Sequence, residues 1–461
     1  MKGHWYRRLA DCVAGFPDRR PQIRGLAERR SVGLMITESV LTAYLKHKYA
    51  VLLQFHSLHN VKPPLPRSDA EYLLYVHIPF CEELCPYCSF NRFPLDENLA
   101  RDYFRGLGRE IRMYADLGYD FASVYVGGGT PTVLPREIGQ LLNDLRSMFN
   151  VREISLETNP NHLTEEIVGT LKAGGVNRLS VGVQSFDDSL LQQMERYHKY
   201  GSGKEIRDRL ARLMGVFDTL NVDMIFNFPT QTIEMLEKDL EIIKEIEADQ
   251  ATFYPLMVSD ITRRELGKRF GPISYRQEKR FYDGIVKSLE SDYGFGTAWC
   301  FSRKKTMIDE YIVDYDEYVG VGSGSFGYVN GTCFANTFSV PDYLDRIHGG
   351  TFPVLAVKEF SRIEQIHYHF MMKLFGSSLD VEKAERKFRG VFMKTLWKEI
   401  LLFKSLSALV DDQGRLRLTR RGRYLWVIMM REFFTGVNNF RDMCRGAIQR
   451  PDTCARPQEK T

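Results

Sequence analysis

Short apolar runs alternate with longer stretches of mixed polarity through the middle of the chain. Runs at residues 72–78, 123–126, 153–156, 178–183, 222–226 and 252–257 are strand-sized, whereas 99–117, 135–149, 164–173 and 232–247 space apolar residues three and four apart, as amphipathic helices do. Strand and helix alternate about six times. That order implies a parallel sheet with right-handed crossovers, either an open doubly wound sheet or a partial barrel. In both, chemistry gathers at the C-terminal ends of the strands. The unusual motifs fall at those ends: Cys81 after the first strand, Gly127-Gly128-Gly129-Thr130-Pro131 after the second, Glu157 ending the third and Gln184 ending the fourth.

Near residue 315 the pattern changes to a glycine-rich stretch over 320–327, followed by mainly helical sequence. Ser361 with Glu364 forms a capping box before a helix that carries Ile363, Ile366, Phe370, Met371 and Leu374 on one side. Residues 408–419 alternate around Asp412-Gln413-Gly414, a hairpin signal, and an apolar helix follows over 424–434, which together read as a winged-helix-like element. Upstream, 37–56 reads as an amphipathic helix and Pro63-Pro64-Leu65-Pro66 as a stiff connector. The expected division is a helical arm and linker over 1–70, an α/β barrel over 71–330 and a mainly helical cap over 331–461.

A chain of 461 residues, 44% apolar and 26% charged, has ordinary globular composition. Its net charge of +4 is too small to predict bulk nucleic-acid binding, and no nucleic-acid partner is expected. Arg415, Arg417, Arg420, Arg421 and Arg423 form a local basic cluster, by default solvated surface, with carboxylates or an anionic membrane as the functional alternative. No run of 18 apolar residues occurs, so no membrane-spanning helix is expected. The first residues lack the apolar core of a secretory leader, and a cytoplasmic location follows as the expectation.

Three of the eight cysteines crowd into Cys81-Glu-Glu-Leu-Cys85-Pro-Tyr-Cys88. Three thiolates on one loop can wrap three corners of a four-iron cluster and leave one iron open to a small molecule. A structural zinc site would want a fourth ligand nearby, and no second Cys-x-x-Cys pair exists.

The run Tyr75-Val-His-Ile-Pro-Phe-Cys81-x3-Cys85-x-Tyr87-Cys88 resembles the cluster loop of radical S-adenosylmethionine (SAM) enzymes of the oxygen-independent coproporphyrinogen III dehydrogenase family. The resemblance covers roughly residues 71–330 and continues in order through Gly127–Pro131, Glu157-Thr-Asn-Pro160, Gly182-Val-Gln-Ser-Phe186, Asp223-Met-Ile-Phe-Asn-Phe-Pro229 and the glycine-rich stretch. It implies a partial (β/α)6 barrel of TIM type, a [4Fe-4S] cluster on Cys81, Cys85 and Cys88, and SAM chelated at the open iron. Reduction by a donor such as flavodoxin or ferredoxin would then release a 5'-deoxyadenosyl radical. Tyr87 is implied beside the adenine and Gly128, Gly129 and Thr130 near the methionyl amino group. Glu157, Gln184, Asp223 and Arg196 are implied as polar partners of the cofactor. Members of this kind can hold two SAM molecules, and Tyr75, Gly128, Glu157 and Phe326 match positions associated with the pair.

Two departures bear on the substrate. The dehydrogenase carries a fourth cysteine two residues after the last cluster cysteine, where Phe90 stands here, and the heme-chaperone relatives carry a Tyr-Trp pair that this chain lacks. The remaining branch is the radical SAM methyltransferases, and the stretch over 321–338 looks most like those that methylate C8 of menaquinone. The resemblance thus implies a lipophilic aromatic substrate and peripheral contact with the inner membrane face, with coproporphyrinogen oxidation or heme carriage as alternatives. His77 reads as structural, its side chain expected to point away from the face its neighbours use, and Tyr254 and Asp260 lie near the sixth strand's end without an assigned role.

Overall fold

The computed structural model describes residues 55–57, 61–303 and 311–449. Six strands, β1 (Tyr72–Ile78), β2 (Phe121–Gly128), β3 (Glu153–Thr158), β4 (Arg178–Gln184), β5 (Thr219–Phe226) and β6 (Gln250–Pro255), lie side by side in that order, every pair parallel. Leu73, Leu74, Val76 and Ile78 of β1 are all fully buried, so both faces of the strand are covered, as parallel sheets require. Several crossover helices begin where a side chain can accept the first free amides, while Pro135–Met148 starts on a proline, which has no amide to satisfy. Asp96 caps Glu97–Asp116 through Leu99 N at 3.0 Å, and Thr164 caps Glu165–Ala173. Tyr103, Leu107, Ile111 and Tyr114 form the buried stripe of the first of these helices.

The partial barrel carries more sheet than the sequence pattern announced. A seventh parallel strand, Tyr318–Val321, lies against the free edge of β1, pairing Gly320 with Tyr75. Beyond it the sheet turns antiparallel through Phe326–Val329, Thr332–Asn336 and Val354–Glu359, and so continues past residue 330. The opposite edge is closed by Cys300–Ser302 and Gly294–Phe295.

The winged-helix-like element is a three-stranded sheet, Ser378–Asp380, Arg415–Leu418 and Leu409–Asp412, with helices Val381–Lys387 and Phe392–Ser405 between its strands. Its hairpin turns at Gln413 and Gly414, whose φ values of 49° and 78° suit the tight turn that joins twisted strands. The capping box forms as read, with Glu364 N donating to Ser361 Oγ at 3.3 Å and Ser361 N to the Glu364 carboxylate at 2.7 Å. The last helix spans Arg420–Gln449, 30 residues, much longer than the 424–434 expected. Trp426, fully buried, anchors it by donating Nε1–H to Met371 O at 3.0 Å.

Up to residue 54, the amphipathic stretch expected over 37–56 lies outside the described residues. His56–Ser57 is not helical; it pairs antiparallel with Val357 and Ala356. No described helix is long and apolar enough to cross a membrane.

Candidate active site

The cysteine loop is shut at its base. Phe80–Cys81 pairs with Phe93–Pro94, with Phe93 N donating to Pro79 O at 2.6 Å and Leu95 N to Cys81 O at 2.8 Å. Arg92 braces the loop from within, donating to Cys88 O at 2.8 Å and also to Cys85 O. The backbone is therefore committed to one curl, and the three thiols open into one cavity.

That cavity has a volume of about 380 Å³ and sits at the C-terminal ends of the strands. Its wall includes all three cysteines and every other residue picked from the sequence: Tyr75, Tyr87, Gly128, Gly129, Thr130, Glu157, Gln184, Arg196, Asp223 and Phe326. Seven separate segments of chain converge there because each strand of a parallel sheet delivers its last residue to the same side.

The glycines are there for space. A Cβ on Gly129 would stand 2.6 Å from Phe80 O and 3.0 Å from Cys81 Sγ; on Gly127 it would meet the Glu157 carboxylate at 2.7 Å. Gly128 has φ of 122°, which an L side chain rarely adopts. Glu157 is thereby drawn against the backbone, accepting from Gly128 N and from Tyr125 Oη, each at 3.0 Å. Asp223 accepts from Ser180 Oγ and Asn221 Nδ2 at 2.7 Å each. Arg196, nearly fully buried, donates to Asn159 Oδ1 at 3.2 Å and Gly182 O, and reaches Tyr87 Oη at 3.3 Å and Cys85 Sγ at 3.5 Å.

Gln184 ends β4 with φ of 75°, a left-handed conformation that costs a non-glycine residue free energy and persists only when its surroundings impose it. The imposing contact is Asp239, whose carboxylate accepts from Phe186 N at 2.7 Å and from Ser185 Oγ at 2.9 Å. Burial pushes Asp239 up to about 7. Because the folded-state value is raised, the native protein holds a proton that the unfolded chain releases, and stability falls as pH rises from about 4 to about 7. Asp239→Asn keeps the acceptor and removes the titration; thermal unfolding followed against pH should show a flatter profile over that interval than the parent.

His77 is structural, but not for the reason its sequence position gave. It lies on the same side of β1 as Tyr75, whose hydroxyl is 2.9 Å from His77 Nδ1, while Nε2 donates to Asn91 O at 2.8 Å. With that donor bond fixed, Nδ1 accepts from Tyr75. Burial lowers the imidazole to about 4, so it is neutral. Of the two residues left without a role, Tyr254 lines the cavity against the Trp299 ring, whereas Asp260 starts an exposed helix and is tied to Asn439. The arginine cluster is largely spoken for: Arg415, Arg417 and Arg420 pair with Asp380, Asp412 and Glu290, and Arg423 stacks on Phe295.

Sequence reading missed the outer wall. Phe433, Phe434, Val437, Asn438 and Arg441 of the last helix, with Tyr328, Phe360 and Tyr368, line the cavity and form this wall. Arg441 lies over the rings of Phe90 and Phe326, 5.1 and 5.5 Å from their centroids, and donates to Asn438 Oδ1 at 2.8 Å.

Three thiols on one braced loop, unpaired by disulfides and facing a cavity, fit a cluster better than a single ion. Burial pushes the Cys81 thiol up to about 12.

Fold and site together define a radical SAM protein, and the pattern of the Radical SAM superfamily matches residues 75–243. The cofactors of that superfamily are a [4Fe-4S] cluster and SAM. The chain is 32% identical to the heme chaperone HemW of Bacillus subtilis over 74% of its own length and 96% of that protein. It is 26% identical to the oxygen-independent coproporphyrinogen III oxidase of Helicobacter pylori over 84% and 85% of the two chains. The crystal structure of the coproporphyrinogen III oxidase HemN of Escherichia coli superimposes with a TM-score of 0.66 at 24% identity, covering 79% of this chain and 90% of that one. The chain belongs to the radical SAM superfamily, in the family that contains HemW and the oxygen-independent coproporphyrinogen III oxidases. These relatives are a chaperone and oxidases, not the quinone methyltransferase that the sequence motifs led one to expect.

Proposed function

We propose that this chain performs radical chemistry at an sp2 carbon of a flat, weakly charged ring, most simply transfer of a methyl group to a quinone such as menaquinone at C8. One observation carries the reading: among the described residues the outer wall of the cavity is aromatic and carries few cations. Among the described residues its arginines are Arg92, Arg196 and Arg441; the first braces the cysteine loop, the second lies against Cys85 and Tyr87, and the third packs over Phe90 and Phe326. A porphyrinogen with four carboxylates would have to desolvate them against aromatic rings, and unpaired buried charges cost several kcal/mol each. A quinone ring asks only for apolar walls and one donor for an oxygen.

In this reading Cys81, Cys85 and Cys88 hold three irons. Gly128, Gly129, Thr130, Glu157, Gln184, Asp223 and Arg196 hold SAM, and Tyr75, Gly128, Glu157 and Phe326 border the site of a pair of SAM molecules. When bound, the cluster and SAM supply the one-electron cleavage that starts a radical reaction. The protein's own part is to fix the loop, leave the glycine ledge clear and exclude water. Residues 71–330 carry the cofactors and 331–461 cover the substrate, while a flavodoxin or ferredoxin delivers the electron.

The relatives support a second reading, oxidative decarboxylation of coproporphyrinogen or carriage of heme, more than they support the first. Phe90, which stands where the dehydrogenase has a fourth cysteine, lines the cavity beneath Arg441 and supplies no thiol. Reconstituted, reduced protein supplied with SAM and a menaquinone extract should yield S-adenosylhomocysteine and a quinone heavier by one methylene. Carbon dioxide from coproporphyrinogen without S-adenosylhomocysteine would establish the oxidase instead, and a stable heme complex with neither product would establish the chaperone.

A further inference from the structure

Helix Phe392–Ser405 of the winged-helix-like element is built with large apolar groups on both sides. Phe392, Leu396, Ile400 and Phe403 face inward and are buried, which is the spacing that docks the helix. On the turns facing solvent stand Trp397, Leu401 and Leu402, 56%, 60% and 55% exposed, and Ile363 at the start of the neighbouring helix is also exposed. The two helices are tied at His367 and Glu399, 3.2 Å apart, one turn from Ile363. Single exposed leucines are ordinary; three large apolar side chains within six residues, one of them tryptophan, are not.

Charge says what covers this face. From residue 386 to residue 404 there are six basic side chains, Arg386, Lys387, Arg389, Lys394, Lys398 and Lys404, against one acidic, Glu399, in a chain whose whole excess is +4. Glu399 is engaged by His367, Lys387 by Asp316 and Lys404 by Asp411, while Lys394 and Lys398 stand exposed among the apolar groups, Lys398 Nζ 5.5 Å from the Trp397 ring centroid. Tryptophan and leucine flanked by lysines match a bilayer interface, where the rings sit at headgroup depth and the ammonium groups meet lipid phosphates.

We propose that the outward face of Phe392–Ser405 docks the protein on an anionic phospholipid bilayer, with Trp397, Leu401 and Leu402 inserted and Lys394 and Lys398 on the headgroups. This surface is separate from the arginine cluster for which sequence reading gave an anionic membrane as the functional alternative, most of which is engaged by Asp380, Asp412, Glu290 and Phe295. It does not depend on which ring the cavity accepts, so its failure would leave that reading untouched.

The test is flotation of the full-length, cluster-reconstituted chain with phosphatidylcholine vesicles, with and without phosphatidylglycerol. Binding should require the anionic lipid and weaken in high salt. Leu401→Glu, and separately the pair Lys394→Glu with Lys398→Glu, should each lower the bound fraction roughly tenfold with unchanged circular dichroism, since all three positions are exposed. In a Trp5→Phe background, tryptophan emission should shift to the blue on binding and lose that shift when Trp397→Phe is added, because the two other tryptophans, Trp299 and Trp426, are already fully buried. Equal binding to neutral vesicles, or binding that survives both variants, would overturn the proposal. So would a dimer that Leu401→Glu dissolves in a protein that never floats.

Discussion

Cys85→Ala should give a folded protein that takes up no four-iron cluster and cleaves no SAM. Cys85 is buried among Tyr87, Leu190, Met194, Phe228 and Leu256, a small apolar niche that alanine fills with the loss of one sulfur, so the fold has little to lose. The chemistry has everything to lose. Two thiols cannot hold three corners, and the Arg196 contact to the sulfur goes with them. Activity should fall by far more than the roughly 10–100-fold typical when only a supporting hydrogen bond of a metal site is removed. Iron content, visible absorbance and 5'-deoxyadenosine formation check this; full iron content in the variant would remove Cys85 from the ligand set.

Gly129→Ala should do nearly as much damage without touching a ligand. Its Cβ would stand 2.6 Å from Phe80 O, a backbone oxygen that Thr130 N already holds at 2.7 Å, and against Cys81 Sγ. A backbone contact cannot be relieved by a side-chain rotation, so the clasp at the base of the cysteine loop must shift. Overpacking of this kind costs about 1–3 kcal/mol. The expected result is a lowered melting temperature together with poor cluster uptake. Gly284→Ala, in a helix with nothing within 4 Å of the new methyl, serves as the control and should be neutral or slightly stabilising. Normal iron content in Gly129→Ala would show that the loop has slack the structure does not reveal.

The cysteine loop, the glycine ledge and the six strand ends were legible because each is local: a few adjacent residues whose spacing or lack of a side chain has one strong physical reading. β1 was located to the residue for the same reason. The outer wall was not legible. Phe433, Phe434 and Val437 follow the spacing of an ordinary buried helix face, and nothing in that spacing separates a core from the lining of a cavity. Only the path of the chain decides it. The strand Tyr318–Val321 was likewise hidden inside a glycine-rich run that reads as a turn until β1 offers it a partner. His77 erred on a finer point. Alternation along β1 places it on the face of Tyr75, two residues away, and its structural role comes from having both nitrogens engaged rather than from facing elsewhere.

The outer wall also sets an order of events. The helix Arg420–Gln449 that supplies it lies more than 300 residues after the cysteine loop. At translation speeds of about 5–20 residues per second, the loop leaves the ribosome some 15–60 s before its wall is synthesised. For that interval the growing chain presents three thiols on an open side, within reach of whatever delivers iron and sulfide.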